Sequence, residues 1–158
     1  MFRKLSNNNK QISDAECFEI LRNETRGVLS VNGDDGYPYA MPMNHFFNSE
    51  NGCIYFHCGK IGHRLDSLKK SDKASLCVCE HGTRDEGDWA YTVRSVVVFG
   101  RIEIIDDIAI ASDIARKLSY KFTSDESYIQ NEIDRYAKAT LILKLIPEQI
   151  TGKKVKES

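Results

Sequence analysis

The sequence lacks an excess of either charge, because 22 basic and 23 acidic residues leave a net charge of −1 over 158 residues. Proteins that bind nucleic acids usually carry a basic excess or a basic stripe, so general nucleic-acid binding is not expected. No apolar run approaches the roughly 20 residues that span a bilayer, and the first ten residues lack the apolar core of a signal peptide. We therefore expect a cytoplasmic protein that binds neither nucleic acid nor membrane.

The cysteines form no pattern typical of disulfides or structural zinc sites. There are five of them, and an odd number fits poorly with a closed disulfide framework. No CxxC pair occurs, although Cys77, Cys79 and His81 alternate along one strand-like segment and leave a metal site open as an alternative. Core packing is the favoured interpretation of the two thiols, and we predict no metal site.

Three common catalytic or nucleotide-binding motifs are also missing. The sequence has no GxxxxGK[ST], no GxGxxG and no GxSxG, which argues against a Walker P-loop, a dinucleotide-binding fold and a serine-hydrolase elbow.

What is present predicts one mainly β domain of the α+β class, a closed or nearly closed antiparallel barrel with flanking helices. Ser13 and Glu16 form a capping-box pattern for a helix over 14–23, and further helices are expected over 108–122 and 127–136. Residues 1–10 and 153–158 are expected to be frayed. Six strands are predicted, over 26–31, 37–47, 53–58, 73–81, 91–105 and 139–147.

One cluster of cations follows the third predicted strand. Lys60, His63 and Arg64 surround two glycines, Gly59 and Gly62, at the point where a helix carrying Ile61, Leu65 and Leu68 is expected to begin. Glycines, cations and the free N–H groups of a helix start together make an anion site, most naturally for one phosphate. A solvated surface turn is the alternative interpretation.

Two prolines interrupt the second predicted strand. Pro38 and Pro42 lie four residues apart, so their missing N–H groups face the same neighbour, which indicates an edge strand or an interrupted ladder. Met41, Met43 and His45 share one face, and Pro42 and Asn44 share the other. Such a strand has backbone groups free for a flat polar ligand, or it is simply an edge protected against aggregation.

Four segments in this order resemble the pyridoxamine 5′-phosphate oxidase-like FMN-binding split barrels, and most of all the nitroimidazole-resistance (NimA-type) branch. They are GVLSVNGDDGYPYAMPMNHFF, IYFHCGKIGHRLDSL, SVVVFGRIEIIDD and ITGKK. The resemblance extends from Arg26 to Lys154. It implies a six-stranded antiparallel split β-barrel and a homodimer with FMN at the subunit interface.

The resemblance also assigns roles to individual residues. The FMN phosphate would be held by Lys60, Gly62, His63 and Arg64, although a lysine or arginine is more usual at position 63. The isoalloxazine ring would be lined by Met41, Pro42, Met43 and Asn44. His57 would lie beside the flavin as the catalytic residue, and Ser95 would make a further flavin contact.

The resulting expectation is an FMN-dependent oxidoreductase that reduces a small electron-poor substrate, such as a nitroimidazole or another nitroaromatic. Two alternatives stay open. One is a non-enzymatic flavin-binding sensor or redox protein, and the other is a split barrel adapted to haem or a deazaflavin.

Overall fold

The computed structural model describes residues 2–3 and 8–157, and one curled antiparallel sheet dominates it. The strand order is β2-β1-β5-β6-β7-β4-β3, which confirms the predicted antiparallel split barrel. The described strands are β1 (Arg26–Asn32), β2 (Pro38–Asn44), β3 (Phe46–Phe47), β4 (Ile54–Gly59), β5 (Lys73–Cys79), β6 (Thr92–Ile105) and β7 (Thr140–Lys156). The described helices are α1 (Asp14–Asn23), α2 (His63–Lys70), α3 (Ile108–Ser119) and α4 (Glu126–Tyr136).

The sheet has seven strands where six were predicted, because the second predicted strand is broken at His45. Before the break, β2 pairs with β1 up to the partners Arg26 and Asn44. After the break, β3 pairs with β4 at the other end of the sheet, with Phe46 opposite Tyr55. One stretch of chain thus joins both ends of the curled sheet, and His45 is the point where the barrel closes.

The His45 side chain is fully buried at this junction. Its Nε2 lies 2.9 Å from the carbonyl oxygen of Leu21 at the end of α1, and Lys121 Nζ donates to the carbonyl oxygen of Glu24 at 2.7 Å. Two side chains therefore hold the C-terminal end of α1 against the closure. Burial, and secondarily the charge of Lys121, lower the pKa of His45 to about 4, against the hydrogen bond to Leu21.

The predicted helices are confirmed with small changes in their bounds. Ser13 and Glu16 form the expected capping box, and α1 spans Asp14–Asn23. The third helix ends at Ser119 instead of 122, and the fourth begins at Glu126. No helix in the described part of the chain is long and apolar enough to cross a bilayer.

The last strand is longer than predicted. The register of β6 and β7 shifts between Phe99 and Gly100, which is a β-bulge. The two strands approach closely there, since a Cβ at Gly100 would lie 2.2 Å from the carbonyl oxygen of Ile146. Beyond the bulge, β7 continues to Lys156, whose partner is Thr92. Residues 153–156 are therefore not frayed but paired along β6. Of the other residues expected to be frayed, 1, 4–7 and 158 lie outside the described residues.

The two faces of the sheet differ in what covers them. The inner face and α1 form the main core, which includes Ile20, Leu29 and Phe56. On the outside, α3 packs against β4 and β7 through Ala111 and Ile114. Cys77 and Cys79 lie on the outer face of β5 and are exposed, so the interpretation of these thiols as core residues was wrong. The described residues contain no cluster of three potential metal ligands.

Candidate functional site

The start of α2 carries the backbone geometry that an anion site needs. Gly62 is the N-cap residue, with φ 129° and ψ 164°, and no side chain caps the helix. Leu65 and Leu68 are buried and fix the helix on the barrel. Ile61, expected on the same apolar stripe, is instead 93% exposed, because it precedes the helix. The Leu65 N–H donates to the carbonyl oxygen of Gly62 at 3.0 Å, whereas the N–H groups of His63 and Arg64 make no hydrogen bond to a described residue and are free to face a ligand.

A pocket of about 180 Å³ lies between this helix start and the edge strand β2. From β2 come Tyr39, Met41 and Pro42, and from the loop and α2 come residues 61–65. The structure thus brings together two groups of predicted site residues that are about 20 positions apart in the sequence. This pocket is named the α2 pocket below.

Arg64 lines the α2 pocket and has a side-chain nitrogen without a hydrogen-bond partner among the described residues. Its Nη1 lies 2.8 Å from the sulfur of Met43, a weak acceptor. Its Nε is buried and has no hydrogen-bond partner among the described residues. A buried guanidinium N–H without a partner is costly. Because Arg64 also lines the α2 pocket, an anion there would pair with the guanidinium and would satisfy Nε if the side chain turned it outward.

The other two predicted cations already have acidic neighbours. His63 Nε2 lies 3.1 Å from Asp34 Oδ2, and its ring stacks on Tyr39 at 4.3 Å between centroids. A hydrogen bond from Lys70, and then the charge of His63, lower the pKa of Asp34. Lys60 Nζ lies 2.6 Å from Asp106 Oδ1 and does not line the α2 pocket. Of the three predicted cations, the α2 pocket therefore contains His63 and Arg64.

The predicted ring-binding residues lie on a true edge of the sheet, because β2 pairs with β1 alone among the described strands. Met43 is buried and Met41 packs against the core, so their side chains point inward. Pro42 lies opposite Val28 and cannot donate to the ladder. Its carbonyl group and the backbone of Asn44 are therefore directed away from β1, where a flat polar ligand could meet them.

His57 lies in a second and larger cavity, named the helix cavity. Its volume is about 430 Å³, and its walls come from the sheet and from α3 and α4. The His57 ring makes no hydrogen bond to any other described residue. Burial of part of the ring, and then the charge of Arg64, lower the pKa of His57, so the neutral imidazole dominates near pH 7. Asn44 lines the same cavity, so two predicted residues meet there.

Ser95 is not brought to the predicted residues of β2. It lies on β6, opposite Cys79 of β5, and β1 and β5 separate β6 from β2. Three strand spacings amount to roughly 14 Å. Ser95 shares the outer face of the sheet with Val97 and Phe99.

Sequence reasoning missed several residues that shape the two sites. Tyr39 could have been found from strand alternation, since it shares a face with Met41. Asp34 and Asp106 contact the cationic cluster from distant parts of the chain, and no local pattern indicates this. Tyr128 and Glu132 line the helix cavity, and their spacing on one helix face was the available sign.

A curled antiparallel sheet whose two ends are joined at His45 defines a split-barrel protein. The chain belongs to the pyridoxamine 5′-phosphate oxidase family, whose model matches residues 13–154. Comparison with curated protein sequences gives no match.

Solved structures extend this result at the level of the fold. A Bacteroides thetaiotaomicron protein proposed to confer 5-nitroimidazole antibiotic resistance matches with a TM-score of 0.77 and 19% identity, over 93% of this chain and 87% of that chain. A FAD-binding protein from Mesorhizobium loti matches with a TM-score of 0.66 and 22% identity, over 92% and 97%. A FAD- and haem-binding protein from Mycobacterium smegmatis matches with a TM-score of 0.70 and 19% identity, over 94% and 74%.

Proposed function

We propose that this protein binds FMN and uses it to reduce a small electron-poor substrate, such as a nitroimidazole or another nitroaromatic. The observation that carries the proposal is the position of Arg64. This residue lines a pocket at the start of a helix, and its buried Nε has no partner among the described residues. Family membership and the flavin-binding proteins of the same fold support the choice of a flavin.

The α2 pocket suits the phosphate of FMN. Its volume of about 180 Å³ is below the roughly 300 Å³ at which pockets for whole small-molecule ligands begin, so it would take one group of the cofactor. Arg64 would offer a charge-assisted hydrogen bond, and the first turn of α2 would offer backbone N–H groups. The flavin ring would then extend along the edge of β2, past Pro42 and Asn44.

A homodimer is part of the proposal, because the ring would lie along the edge of β2, where no further described strand of the chain covers it. The outer face of the sheet is apolar and accessible: Val28 is 42% and Phe99 is 40% exposed, and Val28 lies in one cross-strand row with Cys77 and Val97. Such a face is a typical interaction surface. Ser95 belongs to this face, so its predicted flavin contact would be made across the interface.

A bound flavin supplies two-electron transfer, and the protein supplies binding and orientation. Neutral His57 has one ring nitrogen that donates and one that accepts. Its lowered pKa favours positioning of the substrate by a hydrogen bond over delivery of a proton at pH 7. The helix cavity gives the substrate a place next to this ring.

The cofactor is tested on the purified protein by its visible spectrum and by the mass of the molecule released on denaturation. We expect a flavin spectrum and the mass of FMN. The mass of FAD would overturn the choice of FMN, and a haem or deazaflavin spectrum would overturn the flavin assignment. Reduction of 2-methyl-5-nitroimidazole with chemically reduced protein then separates an enzyme from a flavin-binding sensor, since free reduced FMN measures the background rate.

A further inference from the structure

The helix cavity has a wall whose chemistry is the opposite of that in the α2 pocket. Tyr128, Glu132 and Tyr136 of α4 all line the cavity. They are spaced four residues apart, so they form one stripe along the helix. A carboxylate between two tyrosines faces the space beside His57.

The wall opposite this stripe is apolar and made of small residues. Ala111 and Ala115 of α3 line the cavity four residues apart, with Leu118 one turn further along. Because alanine side chains are small, they leave space between α3 and α4. The space left is suited to a flat ring that would stack against the tyrosines.

The charge inside the helix cavity comes from one residue. Glu132 is the one acidic or basic side chain among the described residues that line it, apart from His57 with its lowered pKa. Arg135 forms an exposed ion pair with Glu132, with Nη1 3.7 Å from Oε1, and its guanidinium lies over the Tyr136 ring at 5.3 Å. Arg135 does not line the cavity, and at 3.7 Å it makes no hydrogen bond to the carboxylate. The carboxylate therefore has the capacity to accept hydrogen bonds from a ligand.

We infer, building on the proposed function, that the helix cavity selects planar aromatic substrates that carry a protonated amine or another strong N–H donor. Glu132 accepts the hydrogen bond, the Tyr128 ring lies beside the cation, and His57 lines the same cavity. Aromatic substrates that carry a carboxylate are disfavoured, because Glu132 repels them and no cation is among the described residues that line the cavity. Glu132 is thus a specificity-determining residue.

Two probes of the same shape and opposite charge test this inference. 4-Nitrobenzylamine is a cation at pH 7 and 4-nitrobenzoate is an anion, and both are titrated into the purified protein with ligand-observed NMR. We expect the amine to bind about tenfold more tightly. The substitution Glu132→Gln should lower this preference to about threefold or less. The control Asp134→Asn removes one charge from another face of α4 and should keep the preference.

A second pair of variants locates the binding site. Ala115→Leu adds three carbons inside the helix cavity and should weaken the binding of the amine at least about fivefold. Ala109→Leu adds the same carbons on the exposed face of α3 and should leave binding unchanged. Equal affinities for the two probes, an undiminished preference in Glu132→Gln, or unchanged binding in Ala115→Leu would each overturn the inference.

The flavin content of the same samples separates this inference from the proposed function. Probe binding is read without turnover, so a protein that carries no flavin but discriminates between the probes contradicts the proposed function alone. A protein that carries FMN and binds both probes equally contradicts the inference alone.

Discussion

The barrel closure at His45 and the α2 pocket at Arg64 each bury a side-chain nitrogen without a partner among the described residues, Nδ1 of His45 and Nε of Arg64. The two places differ in what surrounds the rest of the side chain. At the closure, His45 contacts the carbonyl oxygen of Leu21 at 2.9 Å and is sealed from solvent. In the α2 pocket, Arg64 Nη1 contacts a weak acceptor, the sulfur of Met43, at 2.8 Å, and the residue lines an open pocket.

The difference separates a structural role from a binding role. The neutral His45 ring donates from Nε2 to a backbone carbonyl oxygen, which supports the fold. Arg64 carries a full charge beside an open pocket, which favours an anionic partner. His45 should therefore matter for stability and little for cofactor affinity. Arg64 should show the reverse, and the variants below test each side of this contrast.

The largest expected effect is the loss of stability on replacing His45. His45→Ala removes a buried hydrogen bond and leaves a cavity at the junction of β2 and β3, which should cost about 3 kcal/mol of the free energy of unfolding. Urea denaturation checks this. His57→Ala, on the exposed part of β4, is the control and should lower the free energy of unfolding far less. Equal losses of stability in the two variants would contradict a structural role for His45.

Replacing Gly62 should cost about 2 kcal/mol, because its φ of 129° strains any residue with a Cβ. Gly59→Ala is a matched control, since a Cβ at either glycine meets no atom within 4 Å but Gly62 alone of the two has a positive φ. Urea denaturation of Gly62→Ala and Gly59→Ala measures the difference. Equal stabilities would mean that the α2 start does not need this backbone conformation.

Acid should weaken the closure. Unfolded histidine has a pKa near 6.5, whereas burial lowers the pKa of His45 to about 4. As the pH falls from 7 to 5, the unfolded chain takes up this proton first, so the free energy of unfolding should fall by about 2 kcal/mol. The lowered pKa of His57 acts in the same direction. The part of the pH dependence of the free energy of unfolding that is lost in His45→Gln therefore belongs to His45. An unchanged pH dependence in this variant would contradict the role of His45 in the closure.

The smallest expected effect is that of Lys60→Ala. Lys60 and Asp106 form an exposed ion pair, and such pairs contribute about 0.5 kcal/mol. Because Lys60 does not line the α2 pocket, we expect FMN affinity to change less than about threefold, as measured by flavin fluorescence. A tenfold or greater loss of FMN affinity would mean that Lys60 does contribute to binding the phosphate.

Much of the fold could be predicted because local chemistry determines it. Ser13 and Glu16 set the start of α1, and Pro38 and Pro42 mark the edge strand. The break at His45 could not be predicted, since it depends on a contact with Leu21, 24 positions away. The polar segment 153–156 has no strand pattern of its own and is ordered by pairing with β6.

The candidate site was predictable only in part for a similar reason. Glycines and cations near α2 indicated an anion site, and the family resemblance predicted that the anion is the phosphate of FMN. Which cations line the pocket depends on Asp34 and Asp106, which approach from distant loops. The outward direction of Cys77 and Cys79 likewise depends on which face of the sheet α1 covers.

The most direct measurement is the ratio of the dissociation constants of riboflavin and FMN, in the wild type and in Arg64→Ala. Riboflavin lacks the phosphate, so the ratio isolates the contribution of the phosphate. We expect FMN to bind at least about tenfold more tightly than riboflavin in the wild type, and the ratio to fall towards one in Arg64→Ala. Lys69→Ala, which removes a charge from the far end of α2, should keep the wild-type ratio. A ratio that is the same in Arg64→Ala as in the wild type would contradict the assignment of the α2 pocket to the phosphate.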